Sequence, residues 1–354
     1  MDAHLCCYKL GKYFPEIYTK DISDVHTCLV ELFHISPEKL VYLTEILHDI
    51  QQVQVLQEIP KIPQRSKEWF DLRLNRLTAS DLGQALGKGK FGNRKSLLQK
   101  KAFPDMFPFK TAPALKWGTM FEDMGMRCYQ QLINPVEIYE FGMIPNLEIP
   151  CFGASPDGIT ETGIMVEMKC PYVRKCDETI PEQYYLQIQG QLATCKLFCC
   201  DYVECYYEVY HDVSEYQLLC QSLDKKEHGI ILEFQKEETY MYEYSPIWYT
   251  TEECIQWANQ HVSTVLEEHP EYAFVKMTPW KLKRIFTKRV QFDEDLWKTI
   301  VPSIYDFWKD VEELRSKGLP EPTEPTVKRN HTLHLVDPDP PKKYRFIEDS
   351  DEES

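Results

Sequence analysis

Ser155-Pro156-Asp157-Gly158 is followed nine residues later by Glu167-Met168-Lys169, which places two carboxylates and an ammonium within one short stretch. Ile164, Val166 and Met168 alternate with Met165, Glu167 and Lys169. A side-chain period of two makes this a strand with Glu167 and Lys169 on one face. Gly158 and Gly163 bracket a tight connection, so the reading is a hairpin in which Asp157 ends the first strand and lies beside Glu167 on the second. Converging carboxylates suit a hard divalent cation, which takes oxygen ligands and keeps several waters. Such a cation acidifies water and offsets charge on phosphate oxygens, and a neighbouring ammonium adds to that offset. The competing reading is an ordinary hairpin with a surface Glu/Lys pair.

Three further segments must position this hairpin. Gln64 to Arg73 runs on through Arg76-Leu77-Thr78-Ala79-Ser80-Asp81. Trp117-Gly118-Thr119-Met120-Phe121-Glu122 opens a helical run to Leu132, and Tyr184 to Ala193 has helical period shortly after Lys169. Each has a plain alternative. Glu122 reads as a first-turn acid favoured by the helix dipole, Ser80 as a helix N-cap, and Arg73 as a surface arginine. Gln187, Gln189 and Gln191 read as a solvated helix face, and Trp69 and Trp117 as core aromatics.

In order and spacing, the four segments together resemble the phage lambda exonuclease and YqaJ-type viral recombinase family of the PD-(D/E)xK nuclease superfamily, over residues 62 to 210. The resemblance implies that Asp157, Glu167 and the backbone carbonyl of Met168 hold the metal, with Glu122 reaching the same centre. It implies that Lys169 is the catalytic lysine and that Gln187, alone of the three glutamines, positions a water or a ligand. Arg73, Ser80 and Ser155 fall where such enzymes hold the 5′ phosphate of the degraded strand. The implied activity is Mg²⁺-dependent 5′-to-3′ digestion of duplex DNA ends in recombination, repair or replication, with Mn²⁺ as a substitute. Duplex DNA with free ends and a single-strand annealing protein are the implied partners, and some relatives form rings of three subunits. Two alternatives stay open: an endonuclease of the same superfamily that also cuts RNA, and a non-catalytic DNA-binding subunit.

The charge pattern is divided. Formal net charge is −16 and the isoelectric point is near 5.2, which is not the footprint of a general nucleic-acid binder. Yet residues 61–101 hold eleven Lys and Arg against three acids, +8 in one segment. Lys88, Lys90, Arg94 and Lys95 sit there in a glycine-bearing loop suited to tracking a phosphate backbone. A second basic run, Lys281-Leu282-Lys283-Arg284 with Lys288-Arg289, reads as the other rim of a DNA channel.

The expected fold is an α/β, PD-(D/E)xK restriction-endonuclease-like core: a central mixed sheet flanked by helices, with a helical N-terminal extension. Residues 1–60 form that extension, in which Ser36 caps and Pro37 starts a helix carrying Leu40, Leu43, Ile46, Leu47 and Ile50 at helical spacing. Residues 61–318 form the lambda-exonuclease-like domain, including a strand from Tyr202 to Tyr210. A capping box at Thr250–Glu253 opens one late helix, and Leu296 to Lys317 forms another that ends at Gly318. Residues 319–354 are Pro-rich and acidic and read as a disordered tail. Met1 to Phe14 lacks the apolar stretch of a secretory leader, and no apolar run reaches membrane-spanning length. The expected setting is intracellular, the host cytoplasm or nucleus if the protein is viral, without membrane contact. Thirteen cysteines then read as free thiols. With no C-x2-C pair, no iron–sulfur cluster is expected.

Overall fold

The computed structural model describes residues 36–62, 66–90, 92–107, 112–224 and 226–318, with the short pieces 3–4 and 7–8. The acidic tail expected from 319 onward lies outside the described residues. Contacts divide the chain after Ser316, and the elements below belong to residues 1–316 apart from the last residue of the final helix.

Pro37–Gln57 forms α1, with Ser36 at the N-cap and Pro37 in the first turn. The buried stripe of α1 is Ile46, Ile50, Val53 and Leu56, so the apolar face runs further along the helix than the sequence periodicity suggests. Next come α2 (Lys67–Leu74), β1 (Leu77–Thr78), α3 (Ala79–Ala85) and α4 (Arg94–Ala102). The helix expected from Trp117 starts earlier, as α5 (Pro113–Leu132), because Pro113 is suited to a first helical turn. Four short strands follow: β2 (Ile138–Tyr139), β3 (Ile144–Pro145), β4 (Phe152–Ala154) and β5 (Gly158–Thr160). Then come β6 (Met165–Lys169), α6 (Glu182–Cys195) and β7 (Cys199–Val209). The chain continues through α7 (Val213–Cys220), β8 (His228–Lys236), β9 (Thr239–Tyr244), α8 (Thr251–Glu268), β10 (Ala273–Gln291) and α9 (Glu294–Lys317). Thr250 and Glu253 make the expected capping box at the head of α8, and Gly318 follows α9 with φ +71°.

Two mixed sheets result. A small one has the order β1-β4-β3, and a seven-stranded one has the order β2-β5-β6-β7-β10-β8-β9. β6 and β7 run parallel at the centre of the large sheet, while its other neighbours are antiparallel. Helices cover both faces. Phe121, Met124 and Cys128 of α5 pack with Val166, Met168, Val203 and Trp280. On the other face, Ile188, Leu192 and Cys195 of α6 pack with Ile159, Met165 and Tyr202. The approach of α5 to β6 is close: a Cβ on Gly125 would sit 2.6 Å from the Met168 sulfur. A third apolar cluster joins α3 and β4 to Ile300, Ile304, Phe307 and Val311 of α9. Among the described residues no helix is long and apolar enough to cross a membrane.

The hairpin differs from its sequence reading in one instructive way. Asp157 does not end a strand that turns back into β6. The strand before it, β4, belongs to the small sheet, and the chain crosses to the large sheet through Ser155-Pro156-Asp157. β5 begins after Asp157, pairs Gly158 with Val166 and Ile159 with Met165, and turns through Gly163 at φ +85°. Asp157 therefore meets β6 from the gap between two sheets.

Candidate active site

β6 distributes its side chains as the period of two requires. Val166 and Met168 enter the core beneath α5, while Glu167 and Lys169 share the face toward α6. Glu167 is fully buried, a costly state for a carboxylate unless it is multiply bonded. Its Oε1 accepts from Gln187 Nε2 at 2.6 Å and from Lys169 Nζ, and its Oε2 accepts from Gln191 Nε2 at 2.7 Å. Gln187 and Gln191 stand one helical turn apart on α6, so both reach the same acid.

Gln187 is joined by a second glutamine at this acid. Gln191 holds the other oxygen of Glu167, and its own Oε1 is buried with no partner. Gln189 is also buried. It turns the other way, donating to Gln291 O at 3.0 Å and accepting from Asp293 N at 2.7 Å. Three glutamines at every second position read as a solvated face because nothing in that spacing shows both sides of the helix to be covered.

Asp157 Oδ2 accepts from Met168 N at 2.8 Å, which docks the crossover on β6. The hydrogen bond seen at Met168 is thus from its N–H, on the residue whose carbonyl was expected at a metal. Burial pushes the Asp157 carboxyl well above the usual carboxylate range. The Glu167 and Glu122 charges add to that rise, while Lys169 and the Met168 amide oppose it. Burial alone would lower the Lys169 ammonium, but Glu167 and Asp157 outweigh burial and raise it. Lys169 therefore stays protonated through the ordinary pH range, as a donor and fixed charge rather than a base. Its Nζ lies 5.1 Å from the centre of the Tyr184 ring, a favourable cation–π placement.

Glu122 projects from α5 into the same cleft, a space of about 190 Å³ lined also by Trp69, Arg73, Thr78, Ala79, Ser80, Ser155, Asp157, Gln187 and Gln191. The structure brings Glu122, Asp157, Gln187, Arg73, Ser80 and Ser155 to one opening, with Glu167 and Lys169 bonded directly beneath. Trp69 organises the rim. Its Nε1–H donates to Ser155 Oγ at 3.2 Å, and its ring carries the Arg73 guanidinium at 4.3 Å. Arg73 Nη2 donates to Ser80 Oγ at 3.0 Å. Ser80 is not a cap: Thr78 holds the N-cap position of α3, and the Ser80 hydroxyl contacts Arg73 and Thr78.

The remaining basic candidates do not line the cleft. Lys88 pairs with Glu182 at 3.0 Å and Lys90 N donates to Gln183 at 2.8 Å, so their loop rests on the N-terminal end of α6. Arg94 pairs with Asp310 of α9 at 2.6 Å, and Lys95 follows it in the first turn of α4. The second basic run lies on β10 and is largely paired: Lys281 with Glu208, Arg284 with Glu178, and Arg289 with Asp201.

Among the described residues, no group of three His, Cys, Asp or Glu side chains is drawn together closely enough to enclose an ion alone. Mg²⁺ does not require such a cage, since one or two carboxylates with waters and substrate phosphate suffice. Crowded acids that push the Asp157 carboxyl up, and an orphaned Gln191 oxygen at the same cleft, fit a hydrated divalent cation. The cysteines named as free are mostly buried: Cys128, Cys195, Cys199, Cys200, Cys205, Cys220 and Cys254 all lie in the interior.

Residues 68–197 match the family model of the YqaJ-like viral recombinase domain. An uncharacterized protein of Acanthamoeba polyphaga mimivirus is 22% identical, over 85% of this chain and 63% of that protein, so the chain spans less than two thirds of this relative's length. The alkaline exonuclease of Laribacter hongkongensis superimposes with a TM-score of 0.44 at 18% identity, covering 71% of this chain and 95% of that one. A phage related exonuclease from Haemophilus somnus gives 0.41 at 12% identity, covering 68% and 96%. Every residue lining the cleft falls between 69 and 191, inside the stretch that matches the YqaJ-like viral recombinase domain.

Proposed function

We propose that the protein is a divalent-metal-dependent deoxyribonuclease that degrades duplex DNA from its ends, 5′ to 3′, with residues 61–318 as its nuclease domain and 1–60 as an extension. One observation carries this reading: Asp157, Glu167 and Lys169 converge beneath a cleft that also admits Glu122, within the recombinase-type stretch. Asp157 and Glu167, with Glu122 and the Met168 carbonyl, would hold Mg²⁺ or Mn²⁺. A bound cation supplies Lewis-acid charge and acidifies water at neutral pH. Gln187 and Gln191 fix the Glu167 carboxylate so that both its oxygens keep one orientation. Lys169, protonated, offsets negative charge that develops on the attacked phosphate. Arg73, Ser80 and Ser155 receive the terminal phosphate at the outer end of the cleft.

The test is digestion of linear duplex DNA carrying a 5′ phosphate and a label at either end, in Mg²⁺. Lys169→Ala protein and a closed circular duplex run alongside. Progressive loss from the 5′ end, absent on the circle and in the variant, is expected. Nicking of the circle would favour an endonuclease. No cleavage with any divalent cation would leave a DNA-binding protein.

A further inference from the structure

Two lysines close α4, and only one of them faces water. Lys100 is exposed, whereas Lys101 is 4% exposed. A buried ammonium is tolerated only where it is paired and hydrogen-bonded. Lys101 Nζ meets Asp81 Oδ2 at 2.9 Å and donates to the backbone carbonyl of Arg73 at 2.8 Å. Thr78 Oγ1 donates to the same Asp81 oxygen at 2.9 Å. One ammonium thus ties the α3 carboxylate to the last turn of α2, at the residue whose guanidinium lies over Trp69 and binds Ser80. Arg315 of α9 reinforces the junction, donating to Leu74 O at 3.3 Å and Lys101 O at 2.9 Å. Cations gathered at the C-terminal end of a helix suit its partial negative charge.

The charge balance matters as much as the bonds. Arg73 and Lys101 share the field of a single carboxylate, Asp81. Two cations and one anion leave one positive charge, and Arg73 is the member that opens into the cleft. A terminal phosphate monoester carries about −1.5 to −2 at neutral pH, more than an internal phosphodiester and far more than a hydroxyl end. An arginine fork discriminates among these only when its plane is held, because bidentate recognition is geometric.

We infer that the buried Lys101–Asp81 pair is a positioning device for Arg73, fixing its guanidinium so that the cleft selects a phosphorylated over a hydroxyl strand end. The inference rests on the nuclease reading above, and its test reads binding and cleavage separately. Affinity is measured by fluorescence anisotropy in Ca²⁺ for one duplex with 5′-phosphate or 5′-hydroxyl ends, beside digestion in Mg²⁺. Lys101→Met is expected to shrink the phosphate preference by about tenfold, as slight misplacement of a positioning group does, while hydroxyl-end affinity holds. Lys101→Arg, which keeps the charge, should restore most of the preference.

Should Lys101→Met fail to fold because Asp81 is stranded, the double variant Lys101→Met with Asp81→Asn removes the pair together and should lose the preference likewise. Full preference in a folded variant overturns the positioning role, and so does an equal fall for both ends. A wild type that binds both ends equally overturns it as well, while Mg²⁺ digestion still decides the nuclease reading on its own.

Discussion

Neighbouring strands β6 and β7 both bury charge, and they do so in opposite ways. On β7, Glu204 is bound by Arg174, Tyr202 and Tyr206. Asp201 is bound by Arg289 and, at 2.6 Å, by Tyr129. Each acid there has its own arginine. Around β6, by contrast, Asp157 and Glu167 share one lysine, and Asp157 opens into a cleft. Both clusters lie on central strands of the same sheet, so burial of charge alone does not mark a site. A surplus of two acids over one lysine beside open space does.

The strongest break of that contrast is at the surplus. Asp157→Asn and Lys169→Ala should each lower cleavage by about a thousandfold or more, as loss of a charge-stabilising group does. Asp157→Asn should still bind duplex DNA in Ca²⁺. Wild-type cleavage by Asp157→Asn would place the metal elsewhere, and wild-type cleavage by Lys169→Ala would remove that ammonium from the reaction. At the balanced cluster the expectation reverses. Glu204→Gln strands Arg174 and should cost about 3 kcal/mol in urea unfolding, while the folded fraction cleaves normally. A loss of cleavage matching that of Asp157→Asn would erase the distinction.

Asp49 on α1 sharpens the comparison as a third kind of buried acid. Burial raises its pKa to about 6, although hydrogen bonds from His48 and Phe198 N pull the other way. The folded chain therefore keeps a proton that the unfolded chain releases above the ordinary value of 3.8. Stability should fall as pH rises through this window and level off above it. Asp49→Asn should flatten that slope, by about 3 kcal/mol across the window, read as melting temperature against pH. An unchanged slope would mean Asp49 is ionised throughout. The smallest effect is expected at Gln191. Gln191→Leu leaves Glu167 with Gln187 and Lys169 only, and should slow cleavage about tenfold, or about 1.4 kcal/mol. An effect as large as that of Lys169→Ala would make Gln191 more than a support.

Much of this site is legible in the chain because β6 announces itself. Alternation at 164–169 puts Glu167 and Lys169 on one face, and β5 pairs with β6 as the glycines suggest. What the sequence hides is anything set by a second element. Gln191 reads as solvent-facing until Glu167 is seen across from it. Lys101 looks like half of a surface Lys-Lys pair until α9 and α3 close over it. The basic run on β10 reads as a channel rim, yet its partners Glu208 and Asp201 lie on β7, some eighty residues away in the chain. Asp157 stands out by type and spacing, but the crossing between two sheets that carries it has no local signature.

The order in which the ribosome releases these pieces gives α9 a temporal meaning. All the side chains of the cleft have been synthesised by residue 191. The cluster that joins α3 to β4 still lacks Ile300, Ile304, Phe307 and Val311, and β7 still lacks β10. A nascent chain therefore carries every reactive group for roughly a hundred residues of synthesis before its core can close, and at the usual pace of translation that interval lasts about 5 to 20 s. A closed cleft therefore waits on residues made long after its own, and translation itself delays the moment at which it can form.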